Sequence, residues 1–280
     1  MKTALSNLMN RQFIIIIISI LLSRYTVYSQ GEVSDTREII FYKEKSLALL
    51  LNTNGFGANY KFSKRIHATK KRNFEVDFVG VKHPKEVKLP SFNQRRFVFG
   101  KLNSVFFLRG GFGYQKEIFR KMDKGSIEIS QSFIFGPTVS FLKPIYYEIL
   151  YLDTISIVKS RIEKFNPSIH SVGKIFGRAS FFKGLEETNL VPGAYIKYGF
   201  NFEFSSDVEK IRALEGGAIL DVFPKKIEIM ATEDNNWIYL SLFIAYRFGK
   251  TESYKVKKDK KRIFDIFKSE KNKEKETEKQ

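Results

Sequence analysis

The amino-acid sequence predicts an all-β protein, an antiparallel transmembrane β-barrel of about eight strands. Three observations support this prediction. Apolar and polar residues alternate with a period of two through much of the chain, as expected for strands with one apolar face. The chain contains 28 Phe and 13 Tyr although 28% of its residues are charged. Apart from one short run near the N-terminus, no stretch approaches the roughly 18 apolar residues expected of a membrane-spanning helix.

The first residues of the chain have the features of a secretory signal peptide. Lys2 and Arg11 precede the apolar run Phe13–Leu22, and a polar stretch then leads to Ser29. A positive start, a short apolar run and a small residue at the cleavage site are typical of such signals. The run is shorter than the roughly 20 residues that a helix needs to span a bilayer. We therefore predict a signal peptide over residues 1–29, with an uncleaved anchor as the alternative, followed by a lead-in over residues 30–44.

The composition limits the classes of protein that need to be considered. Cysteine is absent, which excludes disulfides, thiolate metal sites and a lipid-modified N-terminal cysteine. The many Phe and Tyr residues suit a barrel in lipid, which presents rings to the hydrocarbon and polar groups to its lumen. The formal net charge of +18 would suit a nucleic-acid partner. Because export argues against that partner, we predict no nucleic-acid binding.

Residues 194–205 show the alternation most clearly. One face carries Ala194, Ile196, Tyr198, Phe200, Phe202 and Phe204, and the other carries Tyr195, Lys197, Gly199, Asn201, Glu203 and Ser205. Successive side chains of a strand point to opposite faces, so one face of this segment is apolar and the other almost wholly polar. A soluble β-sandwich also alternates. Phe and Tyr on the apolar faces, with charges and glycines on the polar faces, favour a membrane barrel whose narrow lumen is filled by side chains.

The same pattern divides the chain into eight strands. They cover residues 45–53, 56–66, 73–83, 97–118, 126–143, 192–206, 212–223 and 236–248, which places the barrel over residues 45–249. The pair Asn54-Gly55 suits a two-residue hairpin turn. The second, fourth and sixth connections are short, like periplasmic turns, and the third, fifth and seventh are longer, like outside loops. Ten strands are the alternative if the long connection 144–191 contains a hairpin.

The end of the last predicted strand carries a family resemblance. Tyr246 and Phe248 alternate with polar or small residues before Gly249. With the signal peptide and the alternating strands, this ending resembles the outer-membrane β-barrel proteins of Gram-negative bacteria. The resemblance implies a location in the outer membrane and contact with its lipid and lipopolysaccharide. It also implies that Tyr246 and Phe248 form an assembly signal for the barrel-assembly machinery.

Charged residues on the polar faces are candidates for the barrel lumen. There are ten of them, six acidic and four basic: Lys61, Glu75, Asp77, Arg109, Glu128, Lys197, Glu203, Glu215, Asp221 and Arg247. Small barrels pair such charges, because an unpaired buried charge is costly. We therefore expect an internal charge network, and a polar conduit or a small-ligand pocket is the alternative.

Two basic segments lie between or after the predicted strands. The connection 82–96 contains one carboxylate, Glu86, and five cations: Lys82, Lys85, Lys88, Arg95 and Arg96. Outside the cell these cations would contact lipopolysaccharide phosphates or remain solvated.

The second basic segment is the C-terminal tail. Residues 250–280 hold twelve Lys or Arg against seven Asp or Glu and have few apolar side chains to bury. We expect this tail to be mostly disordered and periplasmic, either merely solvated or bound to a periplasmic protein or polyanion.

The sequence offers no pattern typical of an enzyme. His67, His83 and His170 lie in separate predicted connections, and no spacing suggests a catalytic triad or a zinc site. We predict no catalytic residue, metal or cofactor.

The favoured function is a structural or accessory envelope protein whose loops or tail bind a partner such as secretion or assembly machinery. The alternatives are a porin-like barrel for small solutes, which the narrow lumen disfavours, and, with less support, a barrel-embedded hydrolase.

Overall fold

The computed structural model of the chain describes residues 42–90, 96–121, 126–152, 158–207, 210–231 and 235–253. The predicted signal peptide and most of the predicted lead-in and tail lie outside these residues. Within the described ranges, no helix has both the length and the apolar character that crossing a membrane requires.

Most of the described residues form β-strands. In chain order the strands are β1 (Tyr42–Asn52), β2 (Gly55–His67), β3 (Lys70–Val81), β4 (Lys88–Leu89), β5 (Phe97–Val98), β6 (Asn103–Phe119), β7 (Glu128–Pro144), β8 (Tyr146–Leu152), β9 (Val158–Lys164), β10 (Ile175–Arg178), β11 (Asn189–Glu203), β12 (Lys210–Val222) and β13 (Ile238–Ser253). Eight of them close into an antiparallel barrel in the order β1-β13-β12-β11-β7-β6-β3-β2. The predicted fold class, an all-β barrel of eight strands, is confirmed.

The five remaining strands form two small sheets outside the barrel. Strands β10, β8 and β9 make a three-stranded sheet in that order, and β4 pairs with β5. A single 3-10 turn, Val172–Lys174, precedes β10. The long connection between β7 and β11 therefore does contain strands, but they pair with one another instead of entering the barrel wall. The ten-strand alternative is wrong for this reason.

The two ends of the barrel differ in their connections. Tyr42 pairs with Ser253, so both ends of the described chain lie at one end, here called the terminal end. The short connections between β2 and β3, β6 and β7, and β11 and β12 also lie there. The long connections before β6, β11 and β13 lie at the opposite end, here called the loop end. The tight turn at Asn54 lies at the loop end too, where the Asn54 carbonyl accepts a hydrogen bond from the Lys82 N–H at 2.7 Å.

The strand predicted over residues 97–118 is wrong at its start. Phe97 and Val98 pair with β4 in a separate sheet, and Gly100 then adopts a φ of +79°. That left-handed conformation favours glycine and turns the chain before the barrel strand begins at Asn103. The apolar run that looked continuous in the sequence is therefore divided between a loop sheet and the barrel wall.

The predicted limits of the barrel, residues 45 and 249, are also wrong. Strand β1 begins at Tyr42 and β13 continues to Ser253, because the two strands pair along this whole length. The Lys45 ammonium and the Glu252 carboxylate form an exposed ion pair at 2.8 Å on this extension. These polar residues do not alternate with apolar ones, so the hydrophobic pattern gave no sign that the strands continue.

Strand β1 shows how the barrel separates its two faces. Its centre reads Leu-Ala-Leu-Leu-Leu, which is apolar on both sides. Leu49 and Leu51 are 62% and 68% exposed and point outward, whereas Ala48 and Leu50 are at most 1% exposed and point into the lumen. Alternate side chains of each strand therefore face either the outside or a packed interior.

Candidate functional site

Eight charged side chains form one connected group in the middle of the lumen, here called the lumen network. Its members are Lys61, Glu75, Asp77, Arg109, Lys197, Glu215, Asp221 and Arg247, and each is at most 3% exposed. They project from six of the eight barrel strands. All eight belong to the ten lumen candidates predicted from the sequence. Carboxylates and cations are equal in number, so the network carries no formal net charge.

Glu215 is the carboxylate of the lumen network that lies within 4.0 Å of the most cations. Its Oε2 lies 3.1 Å from the Lys61 Nζ and 2.7 Å from the Arg247 Nη2. The Lys197 Nζ lies 4.0 Å from the other carboxylate oxygen. Removing this one group would leave three cations from three different strands without their shared counter-ion.

Lys197 and Arg109 join the rest of the network across the barrel. The Lys197 Nζ lies 3.1 Å from Glu75 and 3.5 Å from Asp77. Arg109 donates two hydrogen bonds of 2.7 Å to the two oxygens of Asp221. Such bidentate pairs are the strongest of the charge-assisted hydrogen bonds. The partners are 112 residues apart in sequence, so the pair fixes β6 against β12 across the lumen.

Neutral residues also hydrogen-bond to the network, and the sequence analysis did not select them; Asn59 and Tyr195 contact its carboxylates. The Asn59 amide donates to Asp77 and, at 3.2 Å, to Glu75, while its oxygen accepts from Arg247 at 2.7 Å. The Tyr195 hydroxyl donates to Glu75 at 3.4 Å. Both residues lie on the inward faces that alternation identifies. They could have been found by counting every hydrogen-bonding residue on those faces, and not only the charged ones.

The other two predicted lumen residues lie nearer the terminal end. Glu128 is 3.6 Å from the Lys71 Nζ, and Glu203, which is half-buried, is 3.0 Å from the Lys121 Nζ. The structure therefore places them in separate ion pairs and not in the lumen network. The sequence places Lys71 in a predicted connection, because the residues around it are all polar and hide the start of β3 at Lys70.

The loop end of the lumen is filled by apolar side chains. The ring of Phe107 lies 4.9 Å from that of Phe223 and 5.4 Å from that of Tyr239, measured between centroids. The connection after β12 adds Ile227 and Ile229, both with no exposed surface. We call residues 223–231 the lumen cap, because they close the barrel above the lumen network.

Hydrogen bonds hold the lumen cap in place. The Ile229 carbonyl accepts from the Leu102 N–H at 2.9 Å, and the Ala231 N–H donates to the Gly100 carbonyl at 2.7 Å. The Asn235 side-chain oxygen accepts from the Ile229 N–H at 3.0 Å. The connection before β6 and Asn235, which follows the cap in its own connection, thus hold the cap, and side chains occupy the lumen at both levels.

The cations predicted to contact lipopolysaccharide lie on the connection after β3, at the loop end. Four of them are exposed: Lys82, Lys85, Lys88 and Arg96. Arg95 lies outside the described residues. The carboxylate of this connection, Glu86, pairs with the Lys101 Nζ at 2.6 Å. Burial lowers the pKa of Lys101 despite this partner. The positive charge of the connection is thus not neutralised by its own carboxylate.

The predicted assembly signal lies on the outward face of β13. Tyr246 and Phe248 are 46% and 45% exposed. The strand continues beyond them to Ser253, so they are internal to β13 and do not end it. Their role in assembly stays a prediction.

The histidines are not gathered into one site. His67 ends β2 at the terminal end, whereas His83 and His170 lie in different loop-end connections. His170 Nε2 is 3.3 Å from Glu163, and its Nδ1 accepts from the Asn166 N–H. Among the described residues, no three His, Asp or Glu side chains are grouped so as to hold a metal ion.

Comparisons with known proteins leave the function to be argued from this chain. No model of a known protein family matches it, and no curated protein matches it. Among solved structures it is similar to Ail, the attachment invasion locus protein of Yersinia pestis, in complex with the heparin analogue sucrose octasulfate, at 6% identity and a TM-score of 0.37, over 76% of this chain and 100% of that one. It is also similar to Neisserial surface protein A, at 8% identity and a TM-score of 0.36, over 76% and 97%. Such low values carry no functional argument.

Proposed function

We propose that the chain is an exported integral protein of the outer membrane of a Gram-negative bacterium, with a structural or accessory role in the envelope. One observation carries the proposal: the barrel is apolar on its outside and buries eight charged side chains in the middle of its lumen. Soluble proteins have the opposite arrangement, since they bury apolar groups and expose charges.

The apolar outer surface extends around the whole barrel. Each barrel strand contributes a large apolar side chain that is at least 43% exposed: Leu49, Phe56, Val76, Phe112, Phe133, Ile196, Leu214 and Leu242. Contiguous apolar patches on soluble monomers rarely exceed a few hundred Å². A surface that is apolar on all eight strands therefore favours hydrocarbon as the surrounding medium, and closure of the barrel leaves no unpaired strand edge in it.

The short and long connections at the two ends of the barrel support one orientation of the barrel in that membrane. Barrels of this class place short turns in the periplasm and longer loops outside the cell. The terminal end, with its short connections, would then face the periplasm, together with the basic tail that begins near residue 254. The loop end would face outward, where Lys82, Lys88 and Arg96 would meet lipopolysaccharide phosphates. In this proposal the barrel-assembly machinery inserts the chain, and the tail can bind a periplasmic protein or polyanion.

We expect the mature protein to remain in the outer-membrane fraction after carbonate and high-salt washes and to begin at Gln30. Protease added to intact cells should leave the tail attached, whereas protease added after permeabilisation of the outer membrane should remove it. Fractionation, mass spectrometry and immunodetection of the C-terminus measure these outcomes. Recovery in the soluble periplasmic fraction would refute the membrane location, and loss of the tail on intact cells would reverse the orientation.

We expect the protein to show no unit conductance in planar bilayers, because the lumen network and the lumen cap occupy the passage. The control is a known open porin reconstituted in the same way, which establishes that the bilayers report channels. Stable conductance steps from the protein would contradict the accessory role and favour the porin-like alternative.

A further inference from the structure

The connection from β10 to β11 returns to the barrel along its outer wall. We call residues 179–188 of this connection the return segment. The Ala179 N–H donates to the Tyr146 carbonyl at 3.0 Å, beside the end of β7. The segment joins the barrel at Asn189, which pairs with Leu142 near that same end of β7. The return segment therefore lies at the loop-end rim of the barrel.

A continuous row of aromatic rings leads from the apolar outer surface onto the return segment. Phe78 and Phe106 stack at 5.6 Å on the outward faces of β3 and β6. Phe181 of the return segment packs edge-on against Phe106 at 6.1 Å and against Phe182 at 5.9 Å. Phe78 is 51% exposed and Phe182 is 76% exposed. The surface proposed to contact lipid thus continues onto the return segment.

The conformation of the return segment is held by specific contacts. Gly184 has a φ of +83°, and a Cβ at this position would lie 2.5 Å from the Tyr146 ring, so the turn requires glycine. The Lys183 N–H donates to the Ser180 carbonyl at 3.2 Å, and the Lys183 ammonium lies 5.8 Å from the centroid of the Tyr146 ring. Phe182 is therefore exposed on a turn whose conformation these contacts define.

Cations accompany these rings at the rim. Lys143, on the outward face of β7, is 3% exposed, and its Nζ lies 4.9 Å from the centroid of the Phe181 ring. It forms no ion pair with a carboxylate of the described residues, and the guanidinium of Arg178 repels it. Aromatic rings beside Lys or Arg are typical of the boundary between hydrocarbon and charged headgroups.

We propose that the return segment is an interfacial anchor that inserts Phe182 into the outer leaflet and holds the sheet of β8, β9 and β10 at the membrane surface. This inference rests on the proposed location in the outer membrane. The partner is the lipid surface itself, because the return segment is continuous with the apolar outer wall. Lys183, which is exposed, would face the headgroup phosphates.

A single-tryptophan experiment tests the anchor, because the chain contains one tryptophan, Trp237. In a Trp237→Phe background, Phe182→Trp places the reporter on the return segment. The full chain is reconstituted in vesicles of phosphatidylcholine brominated in its acyl chains. We expect blue-shifted emission and quenching about twofold or more above that of an aqueous reference, as for an aromatic residue at the membrane interface.

Two matched references make the result decisive. Leu240→Trp, at a 65% exposed outward position of β13, reports contact with lipid. Ile169→Trp, at a 68% exposed position of a loop-end turn, reports water. Leu185→Trp provides a second reporter on the return segment if Phe182→Trp does not give the heat-modifiable band of the folded barrel.

Each outcome supports or overturns one of the two proposals. Quenching of Phe182→Trp close to that of Leu240→Trp supports the anchor. Emission and quenching equal to those of Ile169→Trp, with Leu240→Trp still quenched, overturn the anchor and leave the membrane barrel intact. Absence of quenching at Leu240 as well would show that the barrel is not in lipid, which refutes the proposed function itself.

Discussion

Replacing Glu215 with leucine is expected to destabilise the folded barrel by about 3–5 kcal/mol, the usual cost of removing one partner from a buried ion pair. Glu215 is fully buried and is the shared counter-ion of Lys61 and Arg247, at 3.1 and 2.7 Å. Without it the lumen network holds one excess positive charge away from water. The free energy of unfolding, measured by urea titration in lipid vesicles with heat-modifiability on gels as the readout, tests this expectation.

The matched control removes a carboxylate of the same type from an exposed pair. Glu252 lies 2.8 Å from Lys45, and both side chains are about half exposed. Glu252→Gln should leave the free energy of unfolding nearly unchanged, because solvent screens exposed pairs. A double variant, Glu215→Leu with Lys61→Met, should recover part of the loss, since it restores the charge balance of the network. Equal effects of Glu215→Leu and Glu252→Gln would contradict the lumen network as a source of stability.

Replacing Ile196 with arginine should destabilise the barrel in the membrane by about 2–4 kcal/mol, the cost of a cation on the lipid face near the midplane. Ile196 is 47% exposed and lies in the middle of β11, between Phe135 of β7 and Leu220 of β12. Its outward side chain is surrounded by apolar neighbours, so the guanidinium would have no partner. Folding yield and the free energy of unfolding in vesicles measure the effect.

Phe204→Arg is the control for depth in the membrane. Phe204 is similarly exposed, at 43%, but it follows the end of β11 at the terminal end. The cost of a cation should fall to about 0–1 kcal/mol near the interface. A similar loss at both positions would mean that the outer surface does not follow the depth profile of a bilayer.

Period-two alternation made the fold class and the two faces of the barrel predictable. In residues 194–205 it assigned Ile196 and Phe200 to the outside and Lys197 and Asn201 to the lumen, which is how β11 places them. The reason is local, because successive side chains of a strand point alternately to the outside and to the interior of the barrel. The eight members of the lumen network were predicted for the same reason, because each of these charged side chains lies on the polar face of its strand and that face lines the lumen.

The sequence is less informative about the strands wherever the apolar pattern ends. Lys250 and Glu252 continue β13 because β1 supplies their backbone partners, and no apolar residue marks the extension. Phe97 and Val98 look like part of a barrel strand, yet they pair with β4 once Gly100 turns the chain. These outcomes depend on which strand lies alongside, and a pattern within one segment does not contain that information.

The sequence by itself therefore determined the barrel and the direction of its side chains, because these follow from a repeat that each strand carries alone. The choice between eight and ten strands needed the tertiary structure, because it depends on which strands β8, β9 and β10 pair with. Only the tertiary structure decided the pairing of Arg109 with Asp221, the folding of residues 223–231 into the lumen and the packing of Phe181 on Phe106. These contacts join segments that are far apart in the chain. They depend on the register of all eight strands in the closed barrel, which brings the partners within a few ångströms.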